Sequence, residues 1–184
     1  MPNRGHLARL EQVWVEPAIF FITTCTADRR SELATAPMHD ICREVWRNAE
    51  LLYGWTVGRY VLMPDHAHFF CAPRGKTAAR ATDAANANRG RTVAGLCEAG
   101  AAESASLELF IGKWKEWTAK YARRRLSMVV PLWQEEFFDH VLRAQESYEE
   151  KWKYVRENPV RAKLVGAPDD WPFQGELHPL RYEP

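Results

Sequence analysis

The sequence predicts an α+β domain of the ferredoxin-like, split βαβ type, with an antiparallel sheet, helices on one face and a further C-terminal helix. The first observation is the order of the elements: strand, helix, strand, strand, helix, strand, helix. The second is composition, because 46% hydrophobic and 27% charged residues are typical of a globular chain that buries a core. The third is a length of 184 residues, which suits one domain.

Composition and periodicity place four strands and three helices along the chain. The strands are short runs rich in aromatic and β-branched residues, whereas the helices repeat apolar residues at intervals of three and four. The predicted strands span residues 18–26, 55–63, 66–72 and 133–143. The predicted helices span residues 37–53, 107–125 and 145–162, and Pro159 is expected to disturb the last of them. The proline-rich residues 166–184 predict an irregular tail.

Apolar residues mark the buried faces of the first two helices. In residues 37–53 they recur at helical spacing, and Gly54 follows where a left-handed C-terminal cap is expected. In residues 107–125 the predicted buried stripe ends with Trp117 and Tyr121. Both helices are therefore expected to pack against the sheet.

One stretch departs from this pattern. Residues 73–106 are rich in Ala, Gly, Asn and Arg and contain almost no large apolar residues. This composition predicts a flexible insertion within a single domain spanning residues 1–184, because the stretch can bury little surface. Its basic residues fit either an extra arm that clamps DNA or a plain solvated loop.

Targeting and redox signals indicate a cytoplasmic protein. Residues 1–12 are polar and lack the apolar region of a signal peptide. No stretch is apolar for long enough to span a membrane. The four cysteines form no CxxC pair, so they are expected to be reduced thiols rather than a disulfide framework or a zinc site.

The formal net charge is only +1, so any nucleic-acid surface must be a local one. Residues 113–125 contain six basic residues and one acidic residue. The basic residues that project away from the apolar stripe are candidate contacts to DNA phosphates. They are Lys113, Lys120, Arg123 and Arg124. An ordinary solvated helix face explains the same pattern.

His66 and His68 are two positions apart in a predicted strand. Side chains at this spacing share one face of a strand, so both imidazoles can reach one ion. Imidazole is a common ligand of Mn²⁺, Zn²⁺ and other transition metals. The spacing alone fits a pair of surface or core histidines equally well.

The last predicted helix contains two tyrosines with different environments. At about 100° per residue, Tyr148, Trp152 and Val155 share one apolar stripe, whereas Tyr154 lies roughly 120° from its centre. Asn158 is four residues after Tyr154 and lies beside it on the same face. The pattern fits a functional tyrosine, or an exposed tyrosine followed by an asparagine that ends the helix before a proline.

Two motifs resemble those of a known family. Residues 60–69, with a Met-Pro-Asp turn before His-Ala-His, resemble the HUH signature (His, hydrophobic, His) of single-tyrosine transposases. Residues 154–165, a tyrosine followed by Asn-Pro-Val-Arg-Ala, resemble the matching element of the REP-associated tyrosine transposases. Residues 133–143 and 171–173 are also similar to that family. The resemblance covers most of the chain except residues 73–106.

The resemblance implies a metal-dependent endonuclease and strand-transferase that acts on single-stranded or hairpin DNA. It implies a divalent ion, Mg²⁺ or Mn²⁺, on His66 and His68, with Asn158 as the third ligand. Tyr154 would be the nucleophile that forms a 5′-phosphotyrosine. Related insertion-sequence enzymes work as dimers that exchange tyrosine helices, whereas REP-associated ones need not, so monomer and homodimer both stay open.

Two other functions fit the same residues. The chain could be a DNA-binding regulator of the same fold that no longer cuts. It could also be a metal-dependent phosphohydrolase in which water, rather than tyrosine, attacks phosphorus. The first predicts binding without cleavage, and the second predicts cleavage without a covalent adduct.

Overall fold

The computed structural model describes residues 18–74 and 104–182, whose strands form one antiparallel sheet. The strands are β1 (Ile19–Cys25), β2 (Trp55–Leu62), β3 (His66–Pro73), β4 (Phe138–Leu142) and β5 (Gln174–Glu176). The helices are α1 (Ala36–Tyr53), α2 (Leu107–Leu126), α3 (Gln145–Arg156) and the short α4 (Asn158–Arg161). The strand order β4-β1-β3-β2-β5 places β3 at the centre. The predicted α+β class with an antiparallel sheet is confirmed.

Alternate residues of β3 face two different helical layers. Ala67, Phe69 and Cys71 belong to the core that contains the buried residues of α1 and α2. Phe70 and Ala72 belong to a second core, which contains the buried residues of α3. Because side chains alternate along a strand, the histidines that begin β3 lie on the α3 face of the sheet.

The buried face of α2 differs from the prediction. Thr118 and Ala122 are fully buried, whereas Trp117 remains 38% exposed and Tyr121 is only partly buried. Thr118 tolerates burial because its hydroxyl accepts a hydrogen bond of 2.8 Å from the Trp133 indole. Trp117 and Tyr121 instead pack on each other outside the core, with ring centroids 5.8 Å apart. Phe110, Ile111 and Trp114 are buried as predicted, so only the C-terminal end of the stripe is shifted by one residue.

The C-terminal region differs from the prediction in its tail. The helix expected over residues 145–162 is interrupted near Pro159, as predicted: it ends at Arg156 and restarts as α4, and Pro159 has no N–H to continue the helical hydrogen bonds. The tail, expected to be irregular, supplies β5, which pairs with β2. Gly175 is needed there, since a Cβ at that position would lie 2.9 Å from the Tyr60 hydroxyl.

Residues 133–143, expected to be a strand with flanks, contain β4 (Phe138–Leu142). Only β4 forms continuous pairing, and it runs along the outer side of β1. Trp133 makes an isolated bridge to Thr26 instead. The Lys115 ammonium of α2 donates to the carbonyl oxygens of residues 134–136, at 2.9 to 3.1 Å, and the Gln134 amide donates to the Cys25 carbonyl oxygen at 2.9 Å, so these contacts hold the segment without continuous strand pairing.

The flanks of the predicted insertion meet at one point. Of residues 73–106, residues 75–103 lie outside the part of the chain that the structure describes. The Arg74 amide and the Ser104 hydroxyl both donate to the Gly54 carbonyl oxygen, at 2.7 and 2.8 Å. Gly54 has φ +69° and caps α1, as predicted. Arg74 and Ser104, the described residues on either side of that stretch, therefore both lie at the end of α1.

The described residues contain three cysteines, Cys25, Cys42 and Cys71, and all three are free thiols. Cys97 and the N-terminal residues 1–17 lie outside the described ranges. None of the helices in those ranges combines the length and the apolar character that a membrane crossing requires.

Candidate active site

A cleft of about 390 Å³ opens where the start of β3 meets the end of α3. Its lining comes from segments that are far apart in the sequence. The lining residues are Met63, His66, His68, Tyr154, Asn158, Arg161 and Ala162. The structure thus brings together the two histidines, the tyrosine and the asparagine that the sequence singled out.

Strand geometry positions the histidine pair. His66 and His68 project from the same face of β3, and their ring centroids are 4.7 Å apart at an interplanar angle of 81°. The central position of β3 fixes this spacing, because both neighbouring strands hydrogen-bond to it along its length. The Met63 amide donates to the His66 carbonyl oxygen at 2.8 Å and closes the turn that precedes the pair.

Each imidazole has its Nδ1 engaged within the protein. His66 Nδ1–H donates to the Asp65 carboxylate at 2.6 Å. His68 Nδ1 hydrogen-bonds to the Thr23 hydroxyl at 2.9 Å, across the β1–β3 pair. A carboxylate can only accept, so the proton of neutral His66 is on Nδ1 and the lone pair is on Nε2. Metal-binding histidines are commonly oriented by such partners.

Asp65 is itself held by a second set of contacts. The Arg29 Nε lies 2.9 Å from the carboxylate oxygen that does not contact His66. The Thr26 amide and hydroxyl both donate to the Asp65 carbonyl oxygen, at 2.9 and 3.1 Å. Arg29 has φ +56°, a left-handed conformation that costs a non-glycine residue about 1 kcal/mol or more. The residue in this unfavourable conformation is the one whose side chain contacts the carboxylate that orients His66.

His68 is held as a neutral ring. The pKa of His68 is lowered to about 3, chiefly by burial and, to a smaller extent, by electrostatic repulsion from neighbours that include Lys151 and Arg161. Its ring also stacks on Phe21, with centroids 5.4 Å apart. A neutral imidazole keeps a lone pair that can bind a cation.

The two tyrosines of α3 have the environments that the sequence predicted. Tyr148 is fully buried, whereas Tyr154 is 60% exposed and lines the cleft. The Arg161 guanidinium lies 4.2 Å from the centroid of the Tyr154 ring. Its Nη2 also donates to the Tyr154 carbonyl oxygen at 2.7 Å and to the Asn158 side-chain oxygen.

Sequence analysis missed three residues that shape this site: Thr23, Asp65 and Arg161. Thr23 gave no signal, because its contact with His68 depends on strand pairing. Asp65 and Arg161 both fall within the family-like motifs, and Arg161 lies seven residues after Tyr154, which is two helical turns. That spacing is the signal that could have indicated a contact.

The four predicted phosphate contacts lie elsewhere. They are Lys113, Lys120, Arg123 and Arg124, all on α2, which covers the opposite face of the sheet from the cleft. Lys113 and Lys120 both pair with Glu116, at 2.9 and 2.6 Å. Arg123 and Arg124 are exposed. A role for these residues in DNA binding stays a prediction.

The donor set fits a divalent transition-metal ion. No group of three or more His, Cys, Asp or Glu side chains suited to metal binding occurs in the described residues. The cleft instead offers the Nε2 atoms of His66 and His68 and the amide oxygen of Asn158. Two imidazoles and one hard oxygen suit Mn²⁺, with Mg²⁺ a poorer match to the imidazoles.

Comparison with known proteins identifies the fold. No family model matches the sequence. An uncharacterized protein of Haemophilus influenzae is 19% identical over 158 residues, which cover 77% of this chain and 79% of that protein. A solved structure of a REP-associated tyrosine transposase bound to a REP hairpin superposes with a TM-score of 0.62 and 17% identity, over 91% of this chain and 82% of that one. The chain therefore has the fold of a REP-associated tyrosine transposase.

Proposed function

We propose that this protein is a transposase-like enzyme that cleaves and rejoins single-stranded or hairpin DNA through a covalent bond to Tyr154. One observation carries the proposal: β3 and α3 bring His66, His68 and Tyr154 to the same cleft, although they are far apart in the sequence. A pair of histidines beside an exposed tyrosine supplies the groups that such chemistry needs. The shared fold with a hairpin-binding transposase supports DNA as the substrate.

The two histidines and Asn158 would hold a divalent ion, Mn²⁺ or Mg²⁺. When bound, that ion would polarise the scissile phosphate and stabilise the negative charge that develops on it. Asp65 and Thr23 keep the two rings in place through their Nδ1 atoms. The Nε2 atoms of His66 and His68 could therefore bind the ion without a rearrangement of β3.

The tyrosine step conserves the number of phosphodiester-type bonds. The Tyr154 oxygen attacks phosphorus and loses its proton to solvent, while the bond from phosphorus to the 3′ oxygen breaks. That oxygen takes a proton and leaves as a free 3′-hydroxyl, and the 5′ phosphate remains on the tyrosine. Because the phosphate ester is kept, another 3′-hydroxyl can reverse the step and join a different strand end.

The test is a search for a denaturant-stable adduct. Single-stranded oligonucleotides, including ones that fold into hairpins, are tiled across both strands beside the gene and incubated with the protein and Mn²⁺. A 5′-phosphotyrosine keeps a 3′ label on the protein and releases a 5′ label. Tyr154→Phe is the control, since it keeps the ring and the cleft but lacks the nucleophile.

The rival functions give other results in the same assay. Cleaved DNA without an adduct would identify a phosphohydrolase and overturn the proposal. Binding without cleavage on every oligonucleotide would identify a regulator of the same fold. A label pattern with the 5′ label on the protein would show that the chemistry is right but the linkage is reversed.

A further inference from the structure

Arg161 contacts both the proposed nucleophile and the proposed third metal ligand. Its guanidinium covers the Tyr154 ring at 4.2 Å, and its Nη2 donates to the Tyr154 carbonyl oxygen and to Asn158 Oδ1. Its Nε and Nη1 make no hydrogen bond within the described ranges, and the side chain is exposed. Arg161 therefore has donors left for a ligand in the cleft.

The charges around Tyr154 favour an anion. The Lys151 ammonium lies 5.9 Å from the Tyr154 ring and 5.1 Å from the Phe21 ring, and no carboxylate pairs with it in the described residues. Asp65, the acidic residue next to the histidines, is already engaged by Arg29 and His66. The cleft thus has one cationic side chain in its lining, Arg161, and a second, Lys151, beside the Tyr154 ring, and both can attract a phosphate.

The same arrangement opposes a metal ion in the free protein. The Asn158 amide oxygen that would bind the ion is the acceptor of the Arg161 guanidinium. A guanidinium and a divalent cation on one oxygen repel each other, and no carboxylate lines the described part of the cleft to offset that repulsion. The Asn158 side-chain oxygen therefore cannot readily accept a hydrogen bond from Arg161 and bind the ion at the same time.

We propose that Arg161 is a positioning residue that responds to a DNA phosphate: it holds Asn158 and Tyr154 in the free protein, and a phosphate that takes its guanidinium releases Asn158 for the metal. This inference rests on the proposed function, because it assumes the same metal site and substrate. It requires that metal and DNA each strengthen the binding of the other. Linkage makes that effect equal in both directions.

The test measures binding rather than cleavage. Mn²⁺ affinity is measured from the free-ion EPR signal in the Tyr154→Phe background, with and without saturating single-stranded oligothymidylate. With Arg161 present, DNA should tighten Mn²⁺ binding by about 5- to 150-fold, the usual range of such coupling. Arg161→Met should bind Mn²⁺ more tightly than its parent without DNA, and the gain on adding DNA should shrink to about twofold or less, well below that range.

Two further variants keep the result interpretable. Lys153→Met removes one positive charge beside Tyr154 from an exposed residue that does not line the cleft, so its coupling should equal that of the parent. Arg161→Lys keeps the charge without the planar fork, so it should retain part of the coupling. If Arg161→Met misfolds by circular dichroism, Arg161→Lys replaces it. Coupling in Arg161→Lys that equals the parent's would then overturn the inference.

Three results would overturn the inference: full coupling in Arg161→Met, weaker Mn²⁺ binding by Arg161→Met without DNA, or an equal loss of coupling in Lys153→Met. Its failure is distinct from failure of the proposed function. Coupling without any adduct in the wild type refutes covalent catalysis and leaves the role of Arg161 standing. Adducts without coupling do the reverse.

Discussion

The two helical layers of this protein both carry basic residues, but these residues face different partners. On α2, Lys113 and Lys120 pair with Glu116 of the same helix. On α3 and α4, Lys151 and Arg161 lie over aromatic rings beside Tyr154, and no carboxylate of the described ranges pairs with either of them. Arg161 instead donates to a backbone carbonyl oxygen and to the Asn158 side chain. A count of lysines and arginines therefore does not locate the positive surface.

The difference arises from spacing along each helix. A glutamate three or four residues from a lysine lies next to it on the same helix face, so charges cancel locally. The segment richest in basic residues is thus partly neutralised. On the other layer Lys151 has no glutamate at that spacing, and Arg161 donates to Tyr154 and Asn158 rather than to Glu157. The following predictions test whether the α3 layer is the functional one, from the largest expected effect to the smallest.

The largest contrast is between the two tyrosines of α3. Tyr154→Phe should reduce adduct formation by on the order of 10³-fold or more, because it removes the attacking oxygen. Tyr148→Phe should leave adduct formation unchanged, because that hydroxyl is buried away from the cleft. The measurement is the fraction of labelled DNA retained on protein in a denaturing gel.

Stability provides the control for this pair. The Tyr148 hydroxyl makes no hydrogen bond with the described residues, so its removal should change the free energy of unfolding by no more than about 1 kcal/mol. Tyr154 is exposed, so its hydroxyl should matter even less to folding. Loss of the adduct in Tyr148→Phe alone would show that the assignment of the two helix faces is wrong.

The histidine pair should give the next largest effect. His66→Ala and His68→Ala should each reduce cleavage by more than the roughly 10- to 100-fold that outer-shell changes cost, because each removes a direct ligand. An excess of chelator should abolish cleavage by the wild type, and added Mn²⁺ should restore it. Cleavage that persists in chelator would refute the metal mechanism whatever the histidine variants do.

Variants of Asp65 test whether His66 must be oriented through its Nδ1 atom. Asp65→Asn keeps the size of the side chain but loses the charge that pairs with Arg29 and the strong acceptor for His66 Nδ1–H. We expect the Mn²⁺ concentration for half-maximal cleavage to rise about 10- to 100-fold. The matched control, Asp139→Asn on β4, should leave that concentration unchanged, and an equal rise there would indicate a general charge effect.

Asn158 should have a smaller effect, because it is one of three expected protein ligands. Asn158→Leu should raise the required Mn²⁺ concentration about tenfold, which corresponds to about 1.4 kcal/mol. Asn158→Asp keeps an oxygen ligand and should cleave with an altered metal preference. If activity in Asn158→Leu only follows its melting temperature, with an unchanged metal requirement, the asparagine is structural.

Much of this site could be predicted because local periodicity determines which way a side chain points. The two-residue repeat of a strand places His66 and His68 on one face, and the helical repeat separates Tyr154 from Tyr148. Both predictions are confirmed by the positions of the side chains. Neither depends on knowing which other element lies opposite.

The parts that sequence analysis missed depend on tertiary partners. Trp117 lies outside the core because Thr118 finds a donor in Trp133, which is fifteen residues away. β5 forms because Gly175 allows the chain to pass close to Tyr60. Periodicity describes one element at a time, so it cannot report that a polar residue is satisfied by a neighbour or that a tail fits a free sheet edge.

The last prediction separates the two basic layers directly. Lys151→Gln and Lys120→Gln each remove one positive charge, so an effect of net charge alone would be equal in both. If the cleft binds DNA, Lys151→Gln should lower the slope of log affinity against log salt concentration by about 0.7, the value for one contact to single-stranded DNA. If the parent and the variant bind equally at 1 M salt, this difference in slope makes the variant bind roughly fivefold more weakly at 0.1 M salt. Lys120→Gln should change neither quantity, because Glu116 already pairs with that lysine.

Fluorescence anisotropy across a salt series, in the Tyr154→Phe background, measures the slope and the affinity without cleavage. The double variant Arg123→Gln/Arg124→Gln completes the comparison, since these two α2 residues are exposed. If it lowers the slope by twice as much while Lys151→Gln does nothing, DNA runs across α2, and the layer chosen from the sequence is the correct one.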